Sequence, residues 1–282
     1  MADESLSGSS VTYVSATATS RGRLNPVVAE GTVDVQPHVG TARRMATDDS
    51  QTSSAEPTPL GPVVLSVANV SFRYHADAEW AVRQVALAVR AGERVALTGP
   101  SGCGKSTLLL MCAGILGFSD GSIKVNDQEL SGLSANERAD IRRAGVGLVF
   151  QFGELVAELT LRDNIALAAE LSGASRKAAL EKASALLDSV GLSKVADSKP
   201  GAVSGGQAQR CAIARALVHE PRLVLADEPT GALDQKNSRN VLALLADLCR
   251  DQGVALLVAT HDPNVAAACN RQMAMLDGRL QV

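Results

Sequence analysis

The stretch Arg94-Val95-Ala96-Leu97-Thr98-Gly99-Pro100-Ser101-Gly102-Cys103-Gly104-Lys105-Ser106-Thr107 decides the fold. Arg94 to Thr98 reads as a short apolar strand that runs straight into a glycine loop. The loop fits the spacing G-x-x-x-x-G-K-[ST], and Thr107 to Ile115 behind it reads as a helix. Glycines there remove the Cβ atoms that would keep backbone N–H groups from phosphate oxygens. The helix behind the loop aims its positive dipole end at the same point. Lys105 is set to reach β- and γ-phosphates, and Ser106 to put a hydroxyl on Mg²⁺. Cys103 occupies a loop position where only the backbone is used, so a small side chain is tolerated. A modification of its thiol would block the site sterically.

Outward from this loop the chain alternates strands and helices. Val63 to Val67, Val70 to Tyr74 and Val85 to Val89 read as strands, with a turn at Ala91-Gly92-Glu93. Gly121 to Val125 and Val146 to Gln151 are strand-like. From about Leu159 to Val203 the period becomes helical, with Leu180, Ala183, Leu187 and Val190 on one face and a stop at Gly191. Strands return at Arg222 to Ala226 and Val254 to Thr260, separated by a helix through Ser238 to Leu248. Gln272 to Val282 reads as a hairpin with its turn at Asp277-Gly278. Buried apolar strands alternating with helices imply an α/β core, with the helical block inserted in it.

A second chemical signal lies at the end of one of these strands. Leu223-Val224-Leu225-Ala226 leads into Asp227-Glu228. A carboxylate there is suited to hold Mg²⁺, directly or through a water. Glu228, one residue on, is suited to polarise a water attacking the γ-phosphate. His261 follows the strand ending at Thr260, and Gln151 follows the one beginning at Val146. Strand ends of this kind are where α/β ligand sites form. His261 is therefore a candidate to hydrogen-bond the γ-phosphate and hold the water. The Gln151 amide is a candidate contact for Mg²⁺ or the water. His38, His75 and His219 lack such a setting and read as solvated.

Composition narrows the class. In 282 residues, 46% are hydrophobic but only 2% aromatic, so the core must be built from Ala, Val and Leu. A net charge of -3 gives no electrostatic case for nucleic acid. The 5 cysteines fit neither a zinc pattern nor a disulfide framework; Cys112, Cys211, Cys249 and Cys269 lie in apolar stretches and read as small core residues. No segment approaches the ~20 apolar residues that span a bilayer, and Asp3 and Glu4 do not open a secretory signal. The chain reads as soluble, with any membrane role supplied by a partner. Residues 1–62, rich in Ser, Thr, Ala and Gly and punctuated by Pro57, Pro59 and Pro62, read as a disordered tail.

The set of motifs, in order, resembles an ATP-binding-cassette ATPase, the nucleotide-binding subunit of a transporter. The resemblance covers residues 63–282. It rests on Tyr74, the loop Gly99 to Ser106, Gln151, Val203-Ser204-Gly205-Gly206-Gln207, Leu223 to Glu228, Ala232-Leu233-Asp234 and His261. It implies a phosphate-loop NTPase with a RecA-like core, an antiparallel β subdomain and a helical subdomain inserted at about 153–205. The implied ligands are ATP and Mg²⁺. Tyr74 would stack on adenine. Ser204, Gly205 and Gly206 would bind the γ-phosphate held by an opposite subunit, either a second copy or a sister cassette. Gln151 would lie in the loop that couples the site to an integral membrane permease on a separate chain. Asp234 would communicate across the dimer, and His261 would be the switch histidine.

Such a subunit would sit at the cytoplasmic face of the membrane through its permease. One departure stands out: Val203 replaces the Leu that usually begins the signature. Asp227 to Asp234, with Phe150-Gln151-Phe152, resembles the lipoprotein-release and macrolide or antimicrobial-peptide export branch. Family members that act on nucleic acid or ribosomes resemble tandem cassettes or carry a coiled-coil insertion, and this chain has neither. A purely regulatory cassette remains open at this level.

Overall fold

The structure is a computed structural model that describes residues 61–118, 120–151, 154–231 and 233–281. The tail reading, up to residue 60, lies outside them, as do Phe152, Ala232 and Val282.

Three strands form most of the first sheet. They are β1 (Val63–Phe72), β2 (Val82–Arg90) and β4 (Asp120–Val125), with the two-residue β5 (Gln128–Glu129) at one edge. The order is β2-β1-β4-β5, and every pairing is antiparallel. The two runs read before and after Ala68 are one strand. Asn69 takes a φ of 51°, and the register with β2 shifts between Val67 and Val70. This is the bulge that separates the two runs in the sequence. Tyr74 lies beyond the strand end, in the connection to β2.

The second sheet holds the chemistry. Its members are β3 (Arg94–Thr98), β6 (Val146–Val149), β7 (Leu223–Asp227), β8 (Ala255–Thr260) and the hairpin β9 (Arg271–Leu276) and β10 (Arg279–Leu280). The order is β10-β9-β3-β8-β7-β6, parallel from β9 to β6. Every residue of β8 is buried, as expected for a parallel strand covered on both faces. Thr98 pairs with Thr260, and Asp227 with Ala259. That register brings the carboxyl ends of β3, β7 and β8 level, so the glycine loop, Glu228 and His261 emerge along one edge.

The helices are α1 (Lys105–Cys112), α2 (Ala135–Gly145), α3 (Leu161–Leu171), α4 (Arg176–Ser189), α5 (Gly205–Leu217), α6 (Gln235–Asp251) and the short α7 (Pro263–Ala267). The α1 helix starts earlier than its apolar run, because Lys105 and Ser106 form its first turn. Hydrophobic periodicity misses α2 altogether. Its residues are mostly polar, and only Gly145 is buried. The signal that marks it is Ser134-Ala135-Asn136-Glu137, which forms a capping box. Packing α3, α4 and α5 together makes a separate apolar core around Leu161, Ile165, Leu187 and Cys211. Leu97 and Leu187 have no exposed surface. Truncating either to Ala costs about 2–5 kcal/mol. With few aromatic side chains to fill space, these aliphatic contacts carry the cores.

Candidate active site

The glycine loop is shaped by the chain as well as by its prospective ligand. A Cβ on Gly99 would collide with the Met275 carbonyl, and one on Gly104 with the Ala81 carbonyl. Gly104 is the N-cap of α1 at φ 104°, a left-handed value that favours glycine, and no side chain caps the helix. The N–H groups of the first turn are thus left for an anion. Lys105 is 6% exposed. Its Nζ donates to the carbonyls of Gly99 at 2.9 Å and Pro100 at 3.0 Å, which curls it over the loop. Cys103 is buried, with Sγ 3.9 Å from that Nζ. Burial removes the easy access that a modification of this thiol requires.

Ser106 and Asp227 meet at the ends of α1 and β7. The Ser106 side chain lies close enough to the carboxyl group to favour its charged form. Asp227 Oδ1 is buried with no hydrogen-bond partner. Burial pushes the pKa of Asp227 up; the Ser106 side chain opposes it, the Glu228 charge adds to it, and Lys105 pulls the other way. An unpartnered carboxylate oxygen beside a hydroxyl is a donor set that suits a hard, oxygen-seeking cation such as Mg²⁺. The Gln151 amide sits against Gly231, where a Cβ would come within 2.7 Å of Nε2.

Glu228 has a φ of 44° and donates its N–H to the Ala259 carbonyl at 2.9 Å. A non-glycine residue in the left-handed region is strained, and such residues collect at functional sites. The turn takes the chain out of β7 and carries the carboxylate to His261. Nδ1 of His261 lies 2.8 Å from Glu228 Oε1, with the His side chain 65% exposed and the Glu side chain 18%. A cavity of about 400 Å³ lies beside the pair and is lined also by Thr230, Ser238 and Asn264.

The remaining sequence candidates lie on other elements. Tyr74 is 55% exposed, stands edge-on to Phe72, and hydrogen-bonds the Thr107 hydroxyl at 3.0 Å. More than half of its surface is therefore open to solvent. Ser204 caps α5 by a capping box with Gln207. Its Oγ accepts the Gln207 N–H, so the hydroxyl proton stays available to an outside acceptor. A Cβ on Gly205 or Gly206 would meet nothing closer than 3.6 Å or 3.5 Å. Packing within this chain therefore does not require glycine at either position. Val203 is half-buried and packs on the α3–α5 core, so the exchange for Leu falls on packing. Asp234 caps α6, accepting from Asn237 N at 3.0 Å and Asn237 Nδ2 at 2.6 Å.

One reading is corrected. His219 is not solvated. It is half-buried, its Nε2 lies 3.3 Å from the Val146 carbonyl, and its Nδ1 is buried without a partner. Burial pushes its pKa down. His75 is exposed as expected, and His38 lies outside the described residues. Cys112, Cys211 and Cys249 are core residues whose thiols burial pushes up to about 12. Sequence reasoning also missed the α5 residues Gln209 and Arg215, which hold the Gln151 segment. Gln209 Nε2 donates to the Phe150 carbonyl at 3.0 Å, and Arg215 Nη1 to the Glu154 carbonyl at 2.7 Å. No motif signals them, because both act on backbone atoms far away in sequence. Beside them runs an apolar groove of about 610 Å³, lined by Leu148, Phe150, Leu171, Arg142, Arg143 and His219 among others.

Comparison with known proteins gives one consistent answer. A family profile described as "ABC transporter" matches residues 82–231. The chain is similar to the lipoprotein-releasing system ATP-binding protein LolD 2 of Rhodospirillum rubrum, 44% identical over 71% of this chain and 87% of that one. It is 42% identical to LolD of Roseobacter denitrificans, over 77% of this chain and 97% of the relative. Among solved structures it resembles the dimeric MJ0796 bacterial ABC transporter cassette, at TM-score 0.72 and 34% identity over 77% of this chain and 97% of that one. A post-hydrolysis dimer of the same cassette, bound to ADP and Pi, matches at TM-score 0.71 and 33% identity over 77% and 97%.

Proposed function

This chain belongs to the ABC transporter family, and we propose that its carboxyl-edge cluster is one half of a composite ATPase site. It is an ATP-binding and ATP-hydrolysing subunit that works with a separate membrane permease. Among the described residues no helix is long and apolar enough to cross a membrane. The seat we propose is the cytoplasmic face, reached through the permease.

In our reading residues 63–282 are the cassette, and the helical insertion spans about 153–205. The observation that carries the site is the junction of three strand ends. There Ser106 and the orphaned Asp227 oxygen lie near the Glu228–His261 pair. Gly99 to Thr107 would wrap the triphosphate with backbone N–H groups, and Lys105 would leave its carbonyl partners for the β- and γ-phosphates. Tyr74 would offer its ring face to adenine. Ser106 and Asp227, with Gln151 reaching in, would hold Mg²⁺, which supplies charge neutralisation at the phosphates when bound. Glu228 would take a proton from the attacking water. The water oxygen bonds to the γ-phosphorus as the bond to the β–γ bridging oxygen breaks, and ADP leaves with that electron pair. His261 would hold the water and the γ-phosphate in line.

The other half comes from the signature. The free Ser204 hydroxyl proton and the open space at Gly205 and Gly206 support a phosphate arriving from outside the chain. A second copy or a sister cassette would supply it, so ATP would join the two halves and hydrolysis would release them. The permease would dock over the groove beside Phe150, with Asp234 relaying between cassettes. The relatives' names support lipoprotein release as the transport task. The test is affinity capture of the tagged chain from membranes. A permease with an extracytoplasmic domain is expected; recovery of ribosomes instead would sink the transport reading.

A further inference from the structure

The connection from β1 to β2 has one fixed end and one exposed end. At the fixed end, Trp80 and Ala81 pass close to two glycines. A Cβ on Gly104 of the phosphate loop would come within 2.0 Å of the Ala81 carbonyl oxygen, and one on Gly278 within 3.0 Å of the Trp80 carbonyl oxygen. The Ala81 N–H donates to the Phe72 carbonyl at 3.0 Å, which closes the connection at its base. At the other end Arg73 and Tyr74 leave β1 exposed to solvent. One side-chain contact joins the two ends: the Arg73 guanidinium carbon lies 4.9 Å from the centre of the Trp80 ring. A planar cation over an indole is a cation–π stack. Asp77 and Glu79 lie in the same connection, yet neither forms an ion pair with Arg73 among the described residues.

We propose that the Arg73–Trp80 stack is a clasp that holds Tyr74 at a fixed reach from the phosphate loop, and so sets affinity for the nucleoside end of ATP rather than for its phosphates. The Tyr74 ring is located from two directions. Its hydroxyl is tied to Thr107 on α1 at 3.0 Å, and its backbone follows Arg73 by one peptide unit. With the stack removed, the backbone end is free to move, and a bound base must then order the segment at a cost in affinity. Arg73 and Trp80 are positioning residues that act through Tyr74, and neither has to touch ATP. The inference rests on the reading of Tyr74 as the adenine platform.

The experiment is steady-state ATPase kinetics of the full-length chain bound to its permease, with magnesium tripolyphosphate as a competitive inhibitor that has phosphates but no base. Arg73→Gln removes the cation, and Trp80→Leu removes the ring. Each is expected to raise KM for ATP about two- to fivefold, the size of an exposed cation–π contact, with kcat and the tripolyphosphate inhibition constant within about 1.5-fold. The double variant should cost no more than either single one, and Arg73→Lys, which keeps a cation, should recover most of the loss. In a Tyr74→Ala background Arg73→Gln should change KM by less than about 1.5-fold. Acrylamide quenching of Trp80, the single Trp of the chain, should increase in Arg73→Gln as the ring loses its cover. An unchanged KM in Arg73→Gln overturns the proposal. So does an equal rise in the tripolyphosphate constant, or a full Arg73→Gln effect without the Tyr74 ring. Unchanged KM in Tyr74→Ala alone removes the platform reading, and the clasp falls with it, so the two failures are distinct.

Discussion

Asp227 Oδ1 is buried without a partner while the Ser106 side chain lies beside the same carboxyl group. The two residues come from different strand–helix units and are 121 positions apart in the chain, the difference between 227 and 106. Their meeting leaves one carboxylate oxygen desolvated and unsatisfied, which costs the folded protein free energy until a cation arrives.

Asp227→Asn should therefore stabilise the ligand-free chain while abolishing Mg²⁺ binding. The folded-state pKa of Asp227 is raised, so the folded chain binds more protons than the unfolded one between the ordinary Asp value and the raised one. Stability falls as pH rises through that window and stays lower above it. Thermal melts at neutral pH should show a higher Tm for Asp227→Asn without nucleotide. Mg²⁺ titrations should show affinity falling, as pH drops, earlier than an unperturbed aspartate would give. A lower Tm for the variant at neutral pH contradicts the argument.

Glu228→Gln should keep ATP binding, lose turnover by ~10²-fold or more, and trap a closed dimer with ATP. The amide keeps a hydrogen-bonding oxygen for His261 but takes no proton. Steady-state ATPase assays and size-exclusion chromatography with ATP check both halves. Wild-type turnover in this variant would falsify the base assignment.

Lys105→Ala should weaken ATP binding strongly. The ammonium lies curled on the carbonyls of Gly99 and Pro100, held beside the loop until a phosphate draws it off them. Fluorescent-nucleotide titration measures the loss, and unchanged affinity rules out the loop as the phosphate site.

Gly205→Ala should leave the fold intact or slightly more stable, since the added Cβ meets only Leu233 Cδ2 at 3.6 Å and Ala is the better helix former by about 1 kcal/mol. ATP-dependent dimerisation should nevertheless be lost, because the methyl group occupies the space kept for a phosphate. Sedimentation with ATP and a thermal melt separate the two effects. Intact dimerisation would remove the trans role of this glycine.

Tyr74→Ala should weaken ATP binding by about 1–3 kcal/mol, the range for an aromatic platform under a base. Tyr74→Phe should cost far less, since it gives up only the hydrogen bond to Thr107. Equal losses in the two variants would show that the hydroxyl, rather than the ring, carries the contact.

The glycine loop, the Asp227-Glu228 pair and the signature were legible because each is local. A backbone that must cradle phosphate needs glycine, and a strand that must end at a metal needs a carboxylate, within a few residues of one another. The α2 helix was not legible by periodicity because it buries almost nothing; its capping box was the readable trace. His219 was misread because its burial depends on packing against β6, which no neighbouring residue reveals.

By itself, the sequence determined the chemistry on offer: a loop for phosphate, carboxylates for a cation and a water, a capped helix with two open glycines. Tertiary structure alone decided how these groups meet. The register that sets Thr98 beside Thr260 and Asp227 beside Ala259 brings three strand ends level. The ties from Gln209 and Arg215 to backbone carbonyls join α5 to the Gln151 segment. Both are contacts between distant segments, fixed by parallel pairing and by close packing, and neither leaves a pattern in any short stretch of chain.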